Sequence, residues 1–74
     1  MEMTAVDSSQ LESIGFDPET SKCHIRFKSK KGTGSLYEYD NVTQEEVDAI
    51  INAESPGRVF AATLKFGKNY RKLE

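Results

Sequence analysis

The sequence contains few of the residues that most enzymes and metal sites use. It has one cysteine, one histidine and no tryptophan among 74 residues. A single cysteine cannot form an internal disulfide, and one cysteine with one histidine cannot supply the three or four ligands of a zinc site. Cys23 and His24 are adjacent, and neighbours on a β-strand point to opposite faces, so they cannot act as nucleophile and base. We therefore predict no catalytic residues, no metal and no cofactor, and a protein that is not an enzyme.

Long apolar runs and a leader sequence are also missing. No stretch approaches the ~20 apolar residues that a membrane-spanning helix needs, and the polar segment 1–5 does not resemble a signal peptide. With a single cysteine and no export signal, we expect a cytoplasmic protein without a membrane partner. The length predicts one small domain, over residues 6–73. The final residues 73–74 resemble the scar left before a purification tag.

The charged residues are segregated along the chain, although the net charge is only −2. Every lysine and arginine lies in one of two blocks without acidic residues, 21–37 and 55–73. Apart from Glu74, the acidic residues occupy the N-terminal part and the stretch 38–54. This order is typical of a surface with one or two basic patches that contact anions or nucleic acid. A mixed surface that segregates by chance gives the same order, and the sequence leaves both interpretations open.

Alternating apolar residues predict three antiparallel strands in the first half of the chain. The stretches LESIGFD and KCHIRFKS alternate with period two, and LYEYD follows a basic hairpin loop, KKGTG. In the second strand, Cys23, Ile25 and Phe27 share one face, which makes Cys23 a small buried hydrophobe rather than a reactive thiol. The first half therefore reads as a three-stranded antiparallel β-meander.

The hydrophobic period changes after the third strand. Thr43 and Glu46 fit a capping box, so a helix begins there and is expected to end near residues 53–54. Ser55-Pro56 then opens a second, shorter helix. Each helix has one apolar face, which must be buried against the sheet. We predict an α+β fold of order β-β-β-α-α, with both helices on one sheet face and a short C-terminal strand as a further option.

The two tyrosines of LYEYD share one face of the third strand, but the register of the hairpin decides which. If Phe27 pairs with an odd-numbered residue, Tyr37 and Tyr39 point toward the helices. If Phe27 pairs with Leu36, the rings point outward beside the basic residues, where they could stack on nucleic-acid bases. The second arrangement would turn Leu36 and the acidic Glu38 inward. The sequence therefore favours the first arrangement, because two tyrosines make the better core.

Several short motifs follow one another along the chain in a characteristic order. They are Val-x-Ser-Ser at 6–9, SIGFDPE, YEY, the valine-led helix, Ala-x-Ser-x-Gly at 53–57, a phenylalanine at 60 and an aromatic-basic end at 70–71. In this order they resemble the KTSC domain, a small family named for a C-terminal domain of some lysyl-tRNA synthetases and also found as short free-standing proteins of bacteria and phages. The resemblance covers nearly the whole chain. Its signature residues here are Ser8, Ser9, Tyr37, Tyr39, Ser55, Gly57 and Phe60.

The chain departs from the family pattern at three places. The loop 30–34 is longer than usual, Thr43 stands where the family tends to have proline, and Ala61 stands where asparagine is common. The longer loop keeps the parity between Phe27 and Tyr37, which supports their sharing one face. The resemblance implies a domain without an established activity, for which RNA binding has been suggested through the link to synthetases.

We predict that the domain binds nucleic acid, RNA in the first place, through a basic strand, loop and tail. The residues expected to contact phosphates are Arg26, Lys28, Lys30, Lys31, Lys68, Arg71 and Lys72. The alternative is a protein–protein interaction module, such as a phage or mobile-element accessory that uses a sheet edge or the helix pair. Salt dependence separates the two, because binding through phosphate contacts weakens steeply as salt rises.

Overall fold

The strands lie side by side in the order in which the chain forms them, each antiparallel to its neighbours. The computed structural model describes residues 2–74. Two helices lie between the fourth and the fifth strand in the sequence. The elements are β1 (Met3–Ala5), β2 (Leu11–Asp17), β3 (Lys22–Ser29), β4 (Gly32–Tyr39), α1 (Gln44–Ile51), α2 (Pro56–Gly67) and β5 (Tyr70–Lys72).

The predicted α+β class with two helices is confirmed, but the predicted three-stranded meander is wrong. Four strands precede the helices, because the segment interpreted as a polar extension contains β1, which pairs with β2 and places Thr4 opposite Ile14. All residues of β1 are exposed, so its sequence shows no alternation of apolar and polar residues. Backbone hydrogen bonds to the edge of β2 hold the strand in the sheet. The optional C-terminal strand is present as β5, and Tyr70 lies opposite Tyr39 of β4.

The hairpin between β3 and β4 is tighter than the loop predicted from its sequence. Ser29 pairs with Gly32 across a two-residue turn, and Gly32 adopts a φ of +119°, which favours glycine. Farther along, the register shifts at a bulge. Gly34 lies there, and a Cβ on it would overlap the carbonyl oxygen of Phe27. The predicted loop 30–34 is therefore mostly strand.

The bulge decides which face the two tyrosines occupy. It places Tyr37 opposite Ile25 and Tyr39 opposite Cys23. Both partners belong to the buried core. The two rings therefore point to the helix side, which is the arrangement that the sequence favoured. The ring centroids of Tyr39 and Phe60 are 5.4 Å apart.

The core lies between this sheet face and the two helices. Helix α1 begins with the predicted capping box, in which Thr43 and Glu46 each accept a hydrogen bond from the other's backbone N–H, and it ends at Ile51, earlier than predicted. Helix α2 ends at Gly67 and has 12 residues against 8 in α1, so the prediction that it is the shorter helix is wrong. The side chain of Ser55 makes no capping hydrogen bond. Neither helix of the described chain is long and apolar enough to cross a membrane. The buried apolar residues are Leu11, Ile14, Cys23, Ile25, Tyr39, Val42, Val47, Ile50, Phe60 and Leu64.

Candidate functional site

The face of the sheet turned away from the helices, called the outer face below, is built around a buried carboxylate. Glu38 is only 6% exposed. Its carboxylate oxygens lie 2.8 Å from His24 Nε2, 2.6 Å from Arg71 Nη2 and 3.5 Å from Lys22 Nζ. The hydrogen bond from His24 lowers the pKa of Glu38 against the opposing effect of burial, and the charges of Arg71 and Lys22 lower this pKa further. The ionised carboxylate is therefore the centre of an ion network.

The other basic residues of the outer face also have partners. Lys22 Nζ lies 2.7 Å from a carboxylate oxygen of Asp40. Arg26 donates hydrogen bonds to a backbone carbonyl oxygen at 2.8 Å and to the carboxylate of Glu74 at 2.9 Å. Two of the predicted phosphate contacts, Arg26 and Arg71, are thus engaged with acceptors of the chain itself. A phosphate that binds here must compete with them.

The remaining predicted phosphate contacts lie at separate places. Lys68 follows α2, and its Nζ lies 2.6 Å from the carbonyl oxygen of Asn41 and 3.1 Å from Glu46 Oε1. Lys72 lies opposite Tyr37 and therefore on the helix side of the sheet. The lysines exposed around the β3–β4 turn are Lys28, Lys30 and Lys31. The structure does not bring the seven predicted residues together on one surface.

A groove between α2 and the β4–β5 edge collects most of the aromatic side chains. Its volume is about 510 Å³. Its floor is formed by rings in mutual contact, since the Tyr70 ring centroid lies 5.7 Å from that of Tyr37 and 5.6 Å from that of Tyr39. We call this depression the aromatic groove; the rings that line it are Phe27, Tyr37, Tyr39, Phe60, Phe66 and Tyr70.

Two rings of the aromatic groove are far more exposed than packing requires. Phe66 is 83% exposed and Tyr70 is 59% exposed. Phe66 belongs to the last turn of α2, and Lys65 Nζ lies 5.5 Å from its ring centroid, within cation–π range. In the described chain, no ring–ring contact joins Phe66 to another aromatic residue. Because Phe66 and Tyr70 line the same groove, they form part of one exposed apolar surface, which is a feature of contact sites.

The charge of the aromatic groove has one sign. Lys65 lines the groove. Lys72 lies on the same sheet face, opposite Tyr37, but it lines a separate depression with Arg26 and Glu74. None of the described lining residues is acidic. Within residues 2–74, no carboxylate forms an ion pair with Lys65 or Lys72. The groove thus offers aromatic rings together with one cation, Lys65, that has no ion-pair partner in the described chain.

A second depression, called the polar notch below, adjoins the aromatic groove and has a volume of about 390 Å³. It contains four of the signature residues, Ser8, Ser9, Ser55 and Gly57. Ser8 Oγ accepts hydrogen bonds from the backbone N–H of Gln10 and of the next residue. A Cβ on Gly57 would lie 3.1 Å from Gln10 Oε1 and 3.3 Å from Ser8 Oγ. Ser8 and Gly57 therefore hold the segment before β2 against the start of α2.

Ala61 lies where the two depressions meet. It lines both of them, together with Gln10. A methyl group cannot donate or accept a hydrogen bond, so Ala61 continues the apolar wall of the groove where the family pattern commonly has an amide. Phe60, the remaining signature residue, packs below it on Phe27 and Tyr39.

Sequence reasoning missed Lys65 and Phe66. The apolar stripe of α2 includes Val59 and the fully buried Leu64. Phe66 lies seven residues after Val59, so the helix period places it at the edge of the same stripe, yet it is 83% exposed. The helix period therefore does not distinguish Phe66 from a residue that packs on the core.

The fold and the surface together define a small α+β domain in which two helices cover one face of an antiparallel five-stranded sheet. Within residues 2–74, no cluster of three or more His, Cys, Asp or Glu side chains could hold a metal ion. The sequence profile of the KTSC domain matches residues 7–67, and the chain belongs to the KTSC domain family. The resemblance noted from the sequence motifs is thereby confirmed.

Three relatives support this assignment. An uncharacterised protein of Stutzerimonas stutzeri is 40% identical over 65 residues, which cover 88% of this chain and 86% of that protein. A protein of Tsukamurella paurometabola is 35% identical over 63 residues, which cover 85% and 88%. The crystal structure of a KTSC domain protein from Yersinia pestis superposes with a TM-score of 0.86 at 30% identity, and the match covers 99% of this chain and 97% of that one.

Proposed function

We propose that this KTSC domain is a non-enzymatic module that binds single-stranded nucleic acid, RNA in the first place, at the aromatic groove. The observation that supports the proposal is the combination of exposed rings with Lys65 in a groove whose described lining has no acidic residue. Lys72 lies two residues beyond Tyr70 on the same sheet face. Aromatic rings stack on bases, and lysines neutralise phosphates. A surface that does both suits a flexible, negatively charged chain of aromatic bases.

The position of the rings favours a single strand over a duplex. Tyr70 and Phe66 line a groove at the end of α2 rather than standing on an open sheet. A base that is paired within a double helix cannot enter such a groove, whereas an unstacked base of a single strand can. The stacking contribution is about 1–3 kcal/mol for each base.

The exposed lysines of the β3–β4 turn extend the proposed surface. Phe27 lines the groove, and it immediately precedes Lys28 at the start of this turn. The turn lysines have no ion-pair partner in the described chain. They add a sequence-independent attraction for phosphates next to the groove. The outer face contributes less, because Arg71 is paired with the buried carboxylate of Glu38 and Arg26 donates a hydrogen bond to the backbone carbonyl oxygen of Gly34.

An amide-shift titration of the isotope-labelled chain with a short oligouridylate tests the proposal. We expect the largest shifts at residues 65–70, and we expect the affinity to fall steeply with salt, since phosphate contacts release counterions. A duplex of the same length serves as the comparison and should bind more weakly. Absence of any shift at low salt overturns the proposal, and shifts confined to β1 and the outer face of β3 overturn its location. Binding that salt does not weaken would point to the protein-interaction alternative.

A further inference from the structure

We infer that the aromatic groove takes one unstacked nucleobase between Phe66 and Tyr70, an inference that rests on the proposed function. The two rings line the same groove from two different elements, α2 and β5. They are its two most exposed rings, at 83% and 59%. A flat aromatic ligand that enters the groove from solvent can therefore contact one exposed ring of α2 and one of β5.

The chain between the two rings is fixed at both ends. The N–H of Lys68 donates to the carbonyl oxygen of Leu64 at 3.2 Å, and the N–H of Asp40 donates to the carbonyl oxygen of Asn69 at 2.9 Å. The side chain of Lys68 adds its contacts to the start of α1, at the carbonyl oxygen of Asn41 and the carboxylate of Glu46. The rings are thus carried by an anchored turn, which reduces the ordering cost of binding.

Tyr70 itself is supported from below. Its ring is tilted by 40° against that of Tyr37 and by 34° against that of Tyr39, at centroid separations below 6 Å. Tyr39 is 4% exposed and belongs to the core. The side of Tyr70 that faces these rings is therefore packed, and its exposed part is what a ligand can reach. The groove volume of about 510 Å³ lies within the range of small-molecule sites, ~300–1,000 Å³.

The charges fit a base that is part of a strand. Lys65 Nζ lies 5.5 Å from the centre of the Phe66 ring. Lys72 lies two residues beyond Tyr70 in β5, on the same sheet face. A base between the rings would have a flanking phosphate near Lys65, and in the described lining no carboxylate repels that phosphate. The occupant is therefore a nucleotide of a strand rather than an apolar side chain of a protein, which would leave the charge of Lys65 without a partner.

The test compares a short oligouridylate with an abasic oligomer of the same length and charge. The chain has three tyrosines and no tryptophan, so tyrosine fluorescence can follow binding of the full chain. We expect the intact oligomer to bind about tenfold or more tightly than the abasic one. Phe66→Ala and Tyr70→Ala should each weaken binding of the intact oligomer by about tenfold and leave the abasic affinity unchanged, and Tyr70→Phe should restore it. The double variant Phe66→Ala/Tyr70→Ala should bind the intact oligomer about as tightly as the weaker-binding single variant does, because both rings hold the same base.

Met3→Ala is the matched control, since Met3 is an exposed apolar residue on the opposite edge strand. It should bind both oligomers as the parent does. If both oligomers bind equally well and with the same salt dependence, the nucleobase site is overturned while nucleic-acid binding stands. If neither oligomer binds at low salt, the proposed function and this inference both fail.

Discussion

The outer face of the sheet and the aromatic groove both contain basic residues, but the two surfaces use their charges differently. On the outer face, Arg71 and Lys22 surround the buried carboxylate of Glu38. Lys65 in the aromatic groove and Lys72, two residues beyond Tyr70, form no ion pair with an acidic residue within residues 2–74. The first surface is a structural ion network, and the second is available to a ligand. A basic stretch of sequence therefore indicates a binding surface only when neighbouring strands do not supply the matching acids.

The largest effect is expected from the floor of the aromatic groove, which is also part of the core. Tyr39→Ala should lower the free energy of unfolding by about 3–5 kcal/mol, because it empties a buried aromatic site beside Phe60. Urea denaturation measures this loss. Tyr39→Phe is the control and removes only a hydroxyl, which burial keeps protonated by raising the pKa of Tyr39 to about 12. A Tyr39→Ala variant as stable as the parent would show that this ring serves the ligand rather than the fold.

The next effect concerns the ion network of the outer face. Glu38→Gln should lower the free energy of unfolding by about 1–3 kcal/mol, because His24, Lys22 and Arg71 then face a buried neutral amide. Thermal or chemical denaturation checks the value. Glu45→Gln is a suitable control, since Glu45 is exposed and forms none of the described ion pairs. Equal stability of the Glu38→Gln variant and the parent would remove the structural role that we assign to this face.

The same carboxylate predicts how stability depends on pH. The pKa of Glu38 in the folded protein lies below its ordinary value of 4.5. The folded state therefore binds this proton less readily than the unfolded chain, so the stability that Glu38 contributes is present above pH 4.5 and is lost as pH falls through the lower folded pKa.

The stability difference between the parent and Glu38→Gln should accordingly be larger near neutral pH than at a pH of about 3. Other carboxylates titrate in both proteins and cancel in this difference. Denaturation of the two proteins at both pH values measures it. A difference that grows on acidification would contradict the assignment of Glu38 as an ionised network centre.

The smallest effect on stability is expected at the most exposed ring of the groove. Phe66→Ala should change the free energy of unfolding by no more than about 0.5 kcal/mol, because the side chain is 83% exposed. Denaturation of this variant beside Tyr39→Ala separates the rings that build the groove from the ring that only lines it. A large loss of stability at Phe66 would mean that the ring packs on the fold in solution.

Much of the fold can be predicted from residues whose roles are local. Thr43 and Glu46 define the start of α1 by their spacing, and the alternation around Cys23 and Ile25 defines β3. Strand β1 has no such signal, because all its residues are exposed and only pairing with β2 holds it. The bulge at Gly34 depends on an approach to the backbone of another strand, so no local pattern indicates it.

The site was harder to predict than the fold, because it depends on which residues become neighbours. The basic character of Arg26 and Arg71 is plain in the sequence, but their partners come from β4 and the C-terminal end. The place of Lys72 beside Tyr37 follows only from the pairing of β5 with β4. The exposure of Phe66 is equally hidden, since the residue lies seven positions after Val59 and is in step with the helix period.

The central claim, that the aromatic groove and not the outer face binds nucleic acid, has one direct test. It compares two double variants that each remove two positive charges, Lys65→Gln with Lys72→Gln, and Arg26→Gln with Arg71→Gln. The affinity of each for a short oligouridylate is measured at several salt concentrations. We predict that the groove variant binds about tenfold more weakly and with a salt slope reduced by about 1.4, whereas the outer-face variant changes by less than about threefold. The opposite ranking, with the larger loss at Arg26 and Arg71, would contradict the claim.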